Sequence, residues 1–318
     1  MRDKYGGQVI GSGGYGCVFL PALKCKDSDT RTSGISKLLF NKDAKIEWKE
    51  ISGVKKIIEK IPNNQNYFLL GNMTMCEPDK LDESDMVGIL DCSSLSRYKI
   101  NASNINNNLQ NFKSINMPDG GKDIAYMFSA TNTSFEVINN SMIMLLNNGI
   151  VPMNRLKLLH NDLKGENILY KDEFSRIIDW GLASKISGTS IPKQIMSRVI
   201  QFNLPFSNIL FTKYFNNIYP RILNQSSIQD KNKYRFVAEE WFNIWNNYSG
   251  VGHVPYINHS ILMPIIVTIN PSTVVRDTRN YLISFFNNYI GIILEKYTDH
   301  SNPNKPVFSD KKYFNEVY

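Results

Sequence analysis

The sequence predicts an α+β protein with two lobes, a strand-rich amino-terminal lobe and a helical carboxy-terminal lobe. Short apolar segments bounded by Gly, Pro and polar residues recur up to about residue 117, as expected for strands. Beyond that point apolar residues recur at steps of three and four, which is the spacing of helices. The chain has 318 residues, enough for two cores, because single cores seldom grow past roughly 250–300 residues.

Glycines and prolines divide the first lobe, expected over residues 1–116, into its elements. A helix is predicted from about Asp43 to Ile61, and a polar, loop-rich insertion at about 77–108. The predicted strands are a pair around a glycine turn at 7–22, ISKLLF at 35–40, NYFLLGNM at 66–73 and NFKSINM at 111–117.

The second lobe is expected over residues 117–318, after a hinge near 116–119. A helix with Phe135 and Ile138 on its apolar face is predicted to end near Gly149. Another is predicted from Val274 to Leu294, with an aromatic stripe that is typical of a core helix.

Composition gives few constraints on partners. The net charge of +7 and the pI of about 9.0 suit acidic partners, but the charge is spread out and predicts no specific nucleic-acid site. The longest apolar run, ILMPIIVTI at 261–269, is shorter than the ~20 residues that a membrane span needs. The amino terminus lacks the apolar region of a signal peptide. We therefore expect a soluble, intracellular protein with no membrane partner.

The four cysteines are expected to be reduced. Cys17, Cys25, Cys76 and Cys92 form no CxxC pair, so a zinc site is not predicted. A disulfide framework is typical of much smaller secreted domains.

A glycine-rich turn lies between the first two predicted strands. GSGGYGCV places Gly11, Gly13, Gly16 and Val18 in the spacing GxGxxGxV. Glycines let backbone N–H groups approach a polyphosphate without obstruction by Cβ. A dinucleotide fold needs a helix directly after the glycines, and a strand is predicted instead. The motif alone does not separate a phosphate-binding turn from a plain hairpin.

Lys37 lies inside the apolar segment ISKLLF, where a charge is costly unless it is paired. Glu47 and Glu50 lie one turn apart on the same face of the following helix, and either can pair with it. Counting forward to the next predicted strand, at Tyr67, favours Glu50.

The segment LLHNDLKGENILY at 158–170 places an acid, a lysine and an amide close together. Asp162 can accept or orient the proton of an attacking hydroxyl, and Lys164 can neutralise a phosphoryl group in transfer. Asn167 and Asp179, the latter in IIDWG, supply the hard oxygen ligands that Mg²⁺ prefers.

In combination these motifs resemble the eukaryotic-type serine/threonine protein kinases. The turn resembles the glycine-rich loop, Lys37 the lysine of the third strand, HNDLKGEN the catalytic loop and Asp179-Trp180-Gly181 the DFG motif. The matches follow one another in the kinase order from residue 10 to about 185. The resemblance implies a two-lobed kinase fold that binds ATP and Mg²⁺, and it implies the following nucleotide-binding residues: Ile10, Gly11, Ser12, Gly13, Gly16, Val18, Lys37, Glu50, Asn116 and Met117.

The segment INMPDGGKD resembles the kinase hinge. The resemblance implies that Ile115 is the gatekeeper and that Asn116 and Met117 offer backbone groups to adenine. Pro118 has no backbone N–H to offer.

The chain departs from the kinase pattern at several points. Asn161 replaces the arginine that grips a phosphorylated activation loop, so control by loop phosphorylation is not expected. No APE motif is present, although FNLPFSNILF at 202–211 can occupy its place. PDGGKD, FNLPFSNIL and GVGHVPYI look like the divergent kinase-like proteins of large DNA viruses. In that group a further helix follows a segment like FSDKKYFNEVY, so the C-lobe is expected to be incomplete after residue 318.

We therefore expect a protein kinase that transfers the γ-phosphoryl group of ATP to Ser or Thr hydroxyls of a protein substrate. The expected location is the host cytoplasm or the virion, if the protein is viral. Two alternatives stay open, a pseudokinase that serves as an ATP-binding scaffold and a small-molecule phosphotransferase, since DW also occurs in relatives of aminoglycoside and choline kinases. The substrate and the oligomeric state are not predicted.

Overall fold

The computed structural model describes residues 7–13, 16–130, 133–188, 190–196, 206–212, 215–217, 219–220, 234–235, 239, 275–302 and 307–317. These residues form two compact units, Met1–Ala183 and Ser184–Tyr318. Antiparallel sheet dominates the start of the first unit, and helices follow, so the α+β class is confirmed.

The first unit begins with a five-stranded antiparallel sheet in the order β1-β2-β3-β5-β4. Its strands are β1 (Gln8–Ser12), β2 (Gly16–Leu20), β3 (Ile35–Phe40), β4 (Thr74–Cys76) and β5 (Phe112–Met117). The central strand β3 pairs Lys37 with Val18 on one side and with Ile115 on the other. This pairing places Lys37 in the middle of the sheet, beside the glycine-rich hairpin formed by β1 and β2.

Helix α1 (Asn41–Ile58) follows β3 without a loop and closes the sheet on one side. Ala44, Ile51, Val54 and Ile58 form its buried stripe, at the three- and four-residue steps that the sequence predicts. The last three of these join the main core of the unit.

The insertion folds as a series of short turns that packs on the sheet. It contains the single-turn helix α2 (Ser93–Ser96) and 3₁₀ turns at Ile89–Asp91, Ile105–Asn107 and Leu109–Asn111. Buried side chains of the insertion share one apolar cluster with Phe19 and Leu38 of the sheet. The insertion is therefore part of the folded core.

Helices and a small sheet complete the first unit. Helix α3 (Ile124–Ala130) is followed by α4 (Phe135–Leu145), which Ser134 caps by accepting a hydrogen bond from the Val137 N–H at 3.3 Å. The predicted end near Gly149 is passed, because the chain continues as a π-helical turn and then as a further helix. The remaining elements are α5 (Val151–Arg155), β7 (Leu158–Leu159) and a three-stranded sheet of β6 (Lys122–Asp123), β8 (Ile168–Lys171) and β9 (Phe174–Ile177).

The predicted strand NYFLLGNM at 66–73 is absent, since β4, the strand of this region, begins only after it, at Thr74. Phe68 and Leu70 are buried in the main core, and Asn72 turns the chain with a φ of 51°. The apolar run therefore reflects core packing.

The described part of the second unit has its own aromatic core. Tyr313 and Phe314 pack on Phe211, with ring centroids 5.6 Å apart in each pair. FNLPFSNILF enters this unit as a 3₁₀ helix at Phe206–Phe211, whereas its first four residues and GVGHVPYI lie outside the described residues. The elements described are β10 (Ser184–Lys185), α6 (Lys193–Met196), α7 (Val275–Tyr297), β11 (Thr298–Asp299), β12 (Val307–Phe308) and α8 (Asp310–Val317).

Among the residues described, no helix is both long enough and apolar enough to cross a membrane.

The expectation of reduced cysteines was wrong. Cys17 is bonded to Cys92 and Cys25 to Cys76, which accounts for all four cysteines of the chain. The partners are separated by 75 and 51 residues, so the pairing arises only because the insertion folds back on β2 and because β4 lies near the segment after it.

Protein purified without a reductant should therefore show no reactive thiol when it is titrated with a thiol reagent in denaturant. After reduction, four thiols should titrate. Reduction should also lower the free energy of unfolding, by about 2–4 kcal/mol for each disulfide, because the unfolded chain gains freedom. Four reactive thiols in the untreated protein would contradict the pairing.

Candidate active site

A cleft of about 550 Å³ lies in the first unit, where the glycine-rich hairpin, β3, α1 and the segment after β7 meet. Its lining combines residues that the sequence singles out with others that it does not: the former are Gly13, Gly16, Lys37, Glu47, Glu50, Asp162, Asp179 and Gly181, and the latter are Asp43, Ile46 and Leu182. A larger and more open depression, of about 740 Å³, lies on the insertion and contains no predicted site residue. The residues with predicted catalytic or binding roles are therefore concentrated in the smaller cleft.

The glycine-rich hairpin makes a tight end at the cleft. The Gly13 N–H donates a hydrogen bond to the Gly16 carbonyl at 2.9 Å. A Cβ at residue 16 would lie 2.4 Å from the Leu38 carbonyl oxygen of β3, so only glycine fits there. Gly11 pairs with Val18 beyond an irregularity in β1 at Ile10, a residue that is 53% exposed.

Lys37 forms an ion pair with Glu47 at the back of the cleft. Its Nζ donates to both carboxylate oxygens of Glu47 at 2.8 Å. The expectation that Glu50 is the partner was wrong. Glu47 lies within the buried stripe of α1, whereas Glu50 lies roughly 60° further round the helix. The stripe of Ala44 and Ile51 was the signal in the sequence that favoured Glu47.

In the segment after β7, neighbouring side chains fix the position of Asp162. The Asn167 side-chain nitrogen donates to the Asp162 carbonyl oxygen at 2.8 Å and to Asp162 Oδ2 at 2.9 Å. The Lys164 ammonium lies 3.9 Å from the same Oδ2. These contacts fix the position of the Asp162 carboxylate.

Two side chains connect this segment to the IIDWG segment. The His160 Nε2 lies 2.9 Å from the Ile178 carbonyl oxygen, and the Asp162 N–H points to His160 Nδ1 at 3.3 Å. Because a carbonyl only accepts and an N–H only donates, His160 carries its hydrogen on Nε2. Asn161 adds a second connection, since its amide donates to the Leu182 carbonyl at 3.0 Å.

Asp179 follows directly and has a φ of 62°, a conformation that costs free energy for most residues other than glycine, asparagine and aspartate. The Ile178 N–H donates to the Asn167 carbonyl at 3.0 Å. Because Asp179 directly follows Ile178, this bond ties the backbone before Asp179 to Asn167, the other predicted metal ligand. Trp180 anchors the turn by packing its ring on His160 and Phe68, with centroids 4.9 and 5.9 Å apart.

Asn116 and Met117 do not line the cleft. The Asn116 side chain is buried and accepts hydrogen bonds from the hydroxyls of Ser36 and Ser114 at 2.5 and 2.7 Å. Asn116 pairs with strands on both sides, whereas Met117 pairs only with Ile35. The Asn116 side chain therefore has a structural role, and Met117 is the more exposed residue of the two.

The donor set suits a magnesium ion that brings most of its own ligands. In the part of the chain that the structure describes, no three His, Cys, Asp or Glu side chains form a metal cage. Mg²⁺ usually keeps several waters and takes one or two carboxylates together with substrate phosphates. Since the Asn167 nitrogen is bonded to Asp162, its amide oxygen is the side-chain atom left to serve as a ligand, whereas Asp179 lines the cleft and Asn167 does not.

Partial desolvation in the cleft raises the pKa of Glu50, and the nearby carboxylates of Glu47 and Asp179 raise it further, while Lys37 opposes the shift. The folded protein thus holds this proton at a higher pH than the unfolded chain does. Stability therefore falls as the pH rises from the ordinary pKa of 4.5 through the raised value, and the penalty is complete above it.

Replacing Glu50 by glutamine should remove this penalty. Relative to the wild type, Glu50→Gln should gain stability between pH 4 and pH 7, with little difference at the acidic end, because both proteins are neutral there. Urea denaturation at the two pH values measures the gain, and Glu83→Gln, at an exposed glutamate of the insertion, is the matched control. An equal difference at both pH values would contradict the assignment.

The bond from Asn161 to Leu182 leads to an expectation about regulation. A neutral amide cannot form the charge-assisted pair by which an arginine orders a phosphorylated loop. Phosphatase treatment should therefore leave phosphoryl-transfer activity nearly unchanged, as measured with purified protein before and after treatment. A large loss that maps to phosphates in residues 184–197 would contradict this.

A scan against protein-family models and a search of curated proteins both returned no match.

Proposed function

We propose that the chain is an ATP-dependent protein kinase that phosphorylates Ser or Thr hydroxyls of a protein substrate, with a kinase-like two-lobed fold. The observation that carries the proposal is the convergence of Gly13, Gly16, Lys37, Asp162 and Asp179 on one cleft. These residues come from four separate parts of the chain and supply the groups that phosphoryl transfer needs.

Different residues of the cleft have different roles in the proposed reaction. The hairpin offers backbone N–H groups to the phosphates of ATP, and Lys37, held by Glu47, offers them a positive charge. Asn167 and Asp179 would hold Mg²⁺, which neutralises phosphate charge when it is bound.

Asp162 orients the substrate hydroxyl and takes its proton as the new P–O bond forms and the bond to the leaving diphosphate breaks. The Lys164 ammonium, which lies 3.9 Å from Asp162 Oδ2, provides positive charge near the transferring group. Because positioning supplies most of the catalysis in this reaction, the bonds from Asn167 and His160 matter as much as the charges.

The test is phosphoryl transfer from γ-labelled ATP to generic basic proteins, run in parallel with a panel of small alcohols, aminoglycosides and choline. Label on protein Ser or Thr, lost in Asp162→Asn, is the expected result. Label on a small alcohol alone would favour a small-molecule phosphotransferase. ATP binding without transfer to any acceptor would favour a pseudokinase, and either outcome would overturn the proposal.

A further inference from the structure

Two consecutive residues of the insertion hold the two strands of the glycine-rich hairpin at its turn end. Ser12 and Cys17 are the last cross-strand pair before the turn. The Ser93 N–H donates to the Ser12 hydroxyl at 3.0 Å, and the two hydroxyls lie 3.0 Å apart. The neighbouring residue, Cys92, forms the disulfide with Cys17. Both strands are thus attached to the insertion at the same level.

The attachment continues along β1 away from the turn. The Val9 N–H donates to the Val87 carbonyl at 3.0 Å, and the Gly7 N–H donates to Asp85 Oδ1 at 2.6 Å. Asp85 is buried and receives two hydrogen bonds of 2.7 Å from the Arg31 guanidinium. This arrangement makes the insertion a continuous support along the outer strand of the sheet.

The attached pair is adjacent in the chain to the residues that line the cleft. Gly13 follows Ser12, Gly16 precedes Cys17, and both glycines face the cavity. Any movement of the turn relative to Lys37 and Asp179 must therefore bend the chain within one residue of the attachment. Hairpin position and insertion are mechanically linked.

We propose that the insertion is a clamp that holds the glycine-rich hairpin in its position at the cleft, and that Ser93 is its positioning residue. The inference rests on the proposed function, since the benefit of a fixed hairpin is tighter engagement of ATP. The Ser12 hydroxyl, which the kinase resemblance places among the nucleotide-binding residues, serves the clamp through its bonds to Ser93.

The two serines allow a graded test. Ser12→Ala removes both hydrogen bonds, whereas Ser93→Ala removes only the one between hydroxyls and keeps the backbone donor. Ser12→Thr keeps the hydroxyl and should restore the wild-type behaviour. Ser103→Ala is the matched control, because this exposed hydroxyl of the insertion bonds to Asn101 and does not contact the hairpin.

Hydrogen exchange of peptides that cover residues 8–20 reports hairpin opening without any need for catalysis. Exchange should be about threefold to tenfold faster for each hydrogen bond removed, in the order Ser12→Ala, Ser93→Ala, control. The KM for ATP should rise in the same order while kcat changes less, because the hairpin binds the phosphates but does not accept the proton. Melting temperatures should confirm that all the variants stay folded.

The outcomes separate this inference from the proposed function. Wild-type exchange rates in both serine variants would overturn the clamp, whatever the enzyme does. A raised KM in Ser12→Ala with an unchanged KM in Ser93→Ala would also overturn it, since that pattern means direct contact between Ser12 and ATP. If exchange follows the expected order but wild-type protein neither binds nor uses ATP, the clamp stands and the kinase proposal fails.

Discussion

Replacing Asp162 by asparagine should slow phosphoryl transfer by about 10²–10⁴-fold, the contribution expected from a positioned general base. Asparagine keeps the acceptor oxygen that bonds to Asn167, so the local fold should survive. ATP affinity should stay close to that of the wild type, because in the proposed reaction Asp162 acts on the hydroxyl and not on the nucleotide. Initial rates with γ-labelled ATP and calorimetric binding of ATP measure the two effects.

Asp29→Asn is the matched control for this variant, because Asp29 is an exposed aspartate of the loop between β2 and β3. It should transfer phosphate at the wild-type rate. Near-normal turnover in Asp162→Asn would remove the basis for assigning residues 158–170 as the catalytic segment.

Replacing Asp179 by asparagine should abolish the tightening of ATP binding by Mg²⁺. In the proposed site the Asp179 carboxylate would be the charged ligand of the ion, with Asn167 as the neutral one. Asparagine tolerates the positive φ of 62° at this position, so loss of metal response can be separated from loss of fold. ATP titrations with and without Mg²⁺ measure the effect.

Lys37→Met provides the contrast for Asp179→Asn. It removes the positive charge that the proposal assigns to the phosphates and leaves Glu47 without its partner, so ATP should bind more weakly with or without Mg²⁺. The same dependence on Mg²⁺ in Asp179→Asn and in the wild type would mean that the ion is held elsewhere.

Much of the first unit could be predicted from local patterns. Strand β3 has the predicted bounds, and α1 differs by two or three residues at its ends, because alternation and helical steps act within one element. Most of the residues that line the cleft were also visible, since glycine spacing, a lysine in an apolar strand and closely spaced polar residues are local signals, whereas Asp43, Ile46 and Leu182 carried no such signal.

Pairings between distant segments could not be predicted in the same way. The disulfide between Cys17 and Cys92 depends on how an irregular insertion folds back, and such a segment has no periodicity to indicate its path. The choice between Glu47 and Glu50 depends on the rotation of α1, which the core fixes through residues such as Ile51. The strand predicted at 66–73 is absent for a related reason, because an apolar run is equally suited to a packed turn.

The contacts of His160 and Asn161 have a consequence for how this site can vary. Asp162 and Asp179, the proposed acid and metal ligand, belong to different segments, yet each segment is bonded to the other through these two side chains. Residues within one such network do not contribute additively. Displacing the backbone of either segment will therefore also shift the other, so substitutions that move the backbone affect Asp162 and Asp179 together. Variation at this site is constrained to coordinated sets of residues, and the surrounding loops are left as the part of the cleft that can diverge one position at a time.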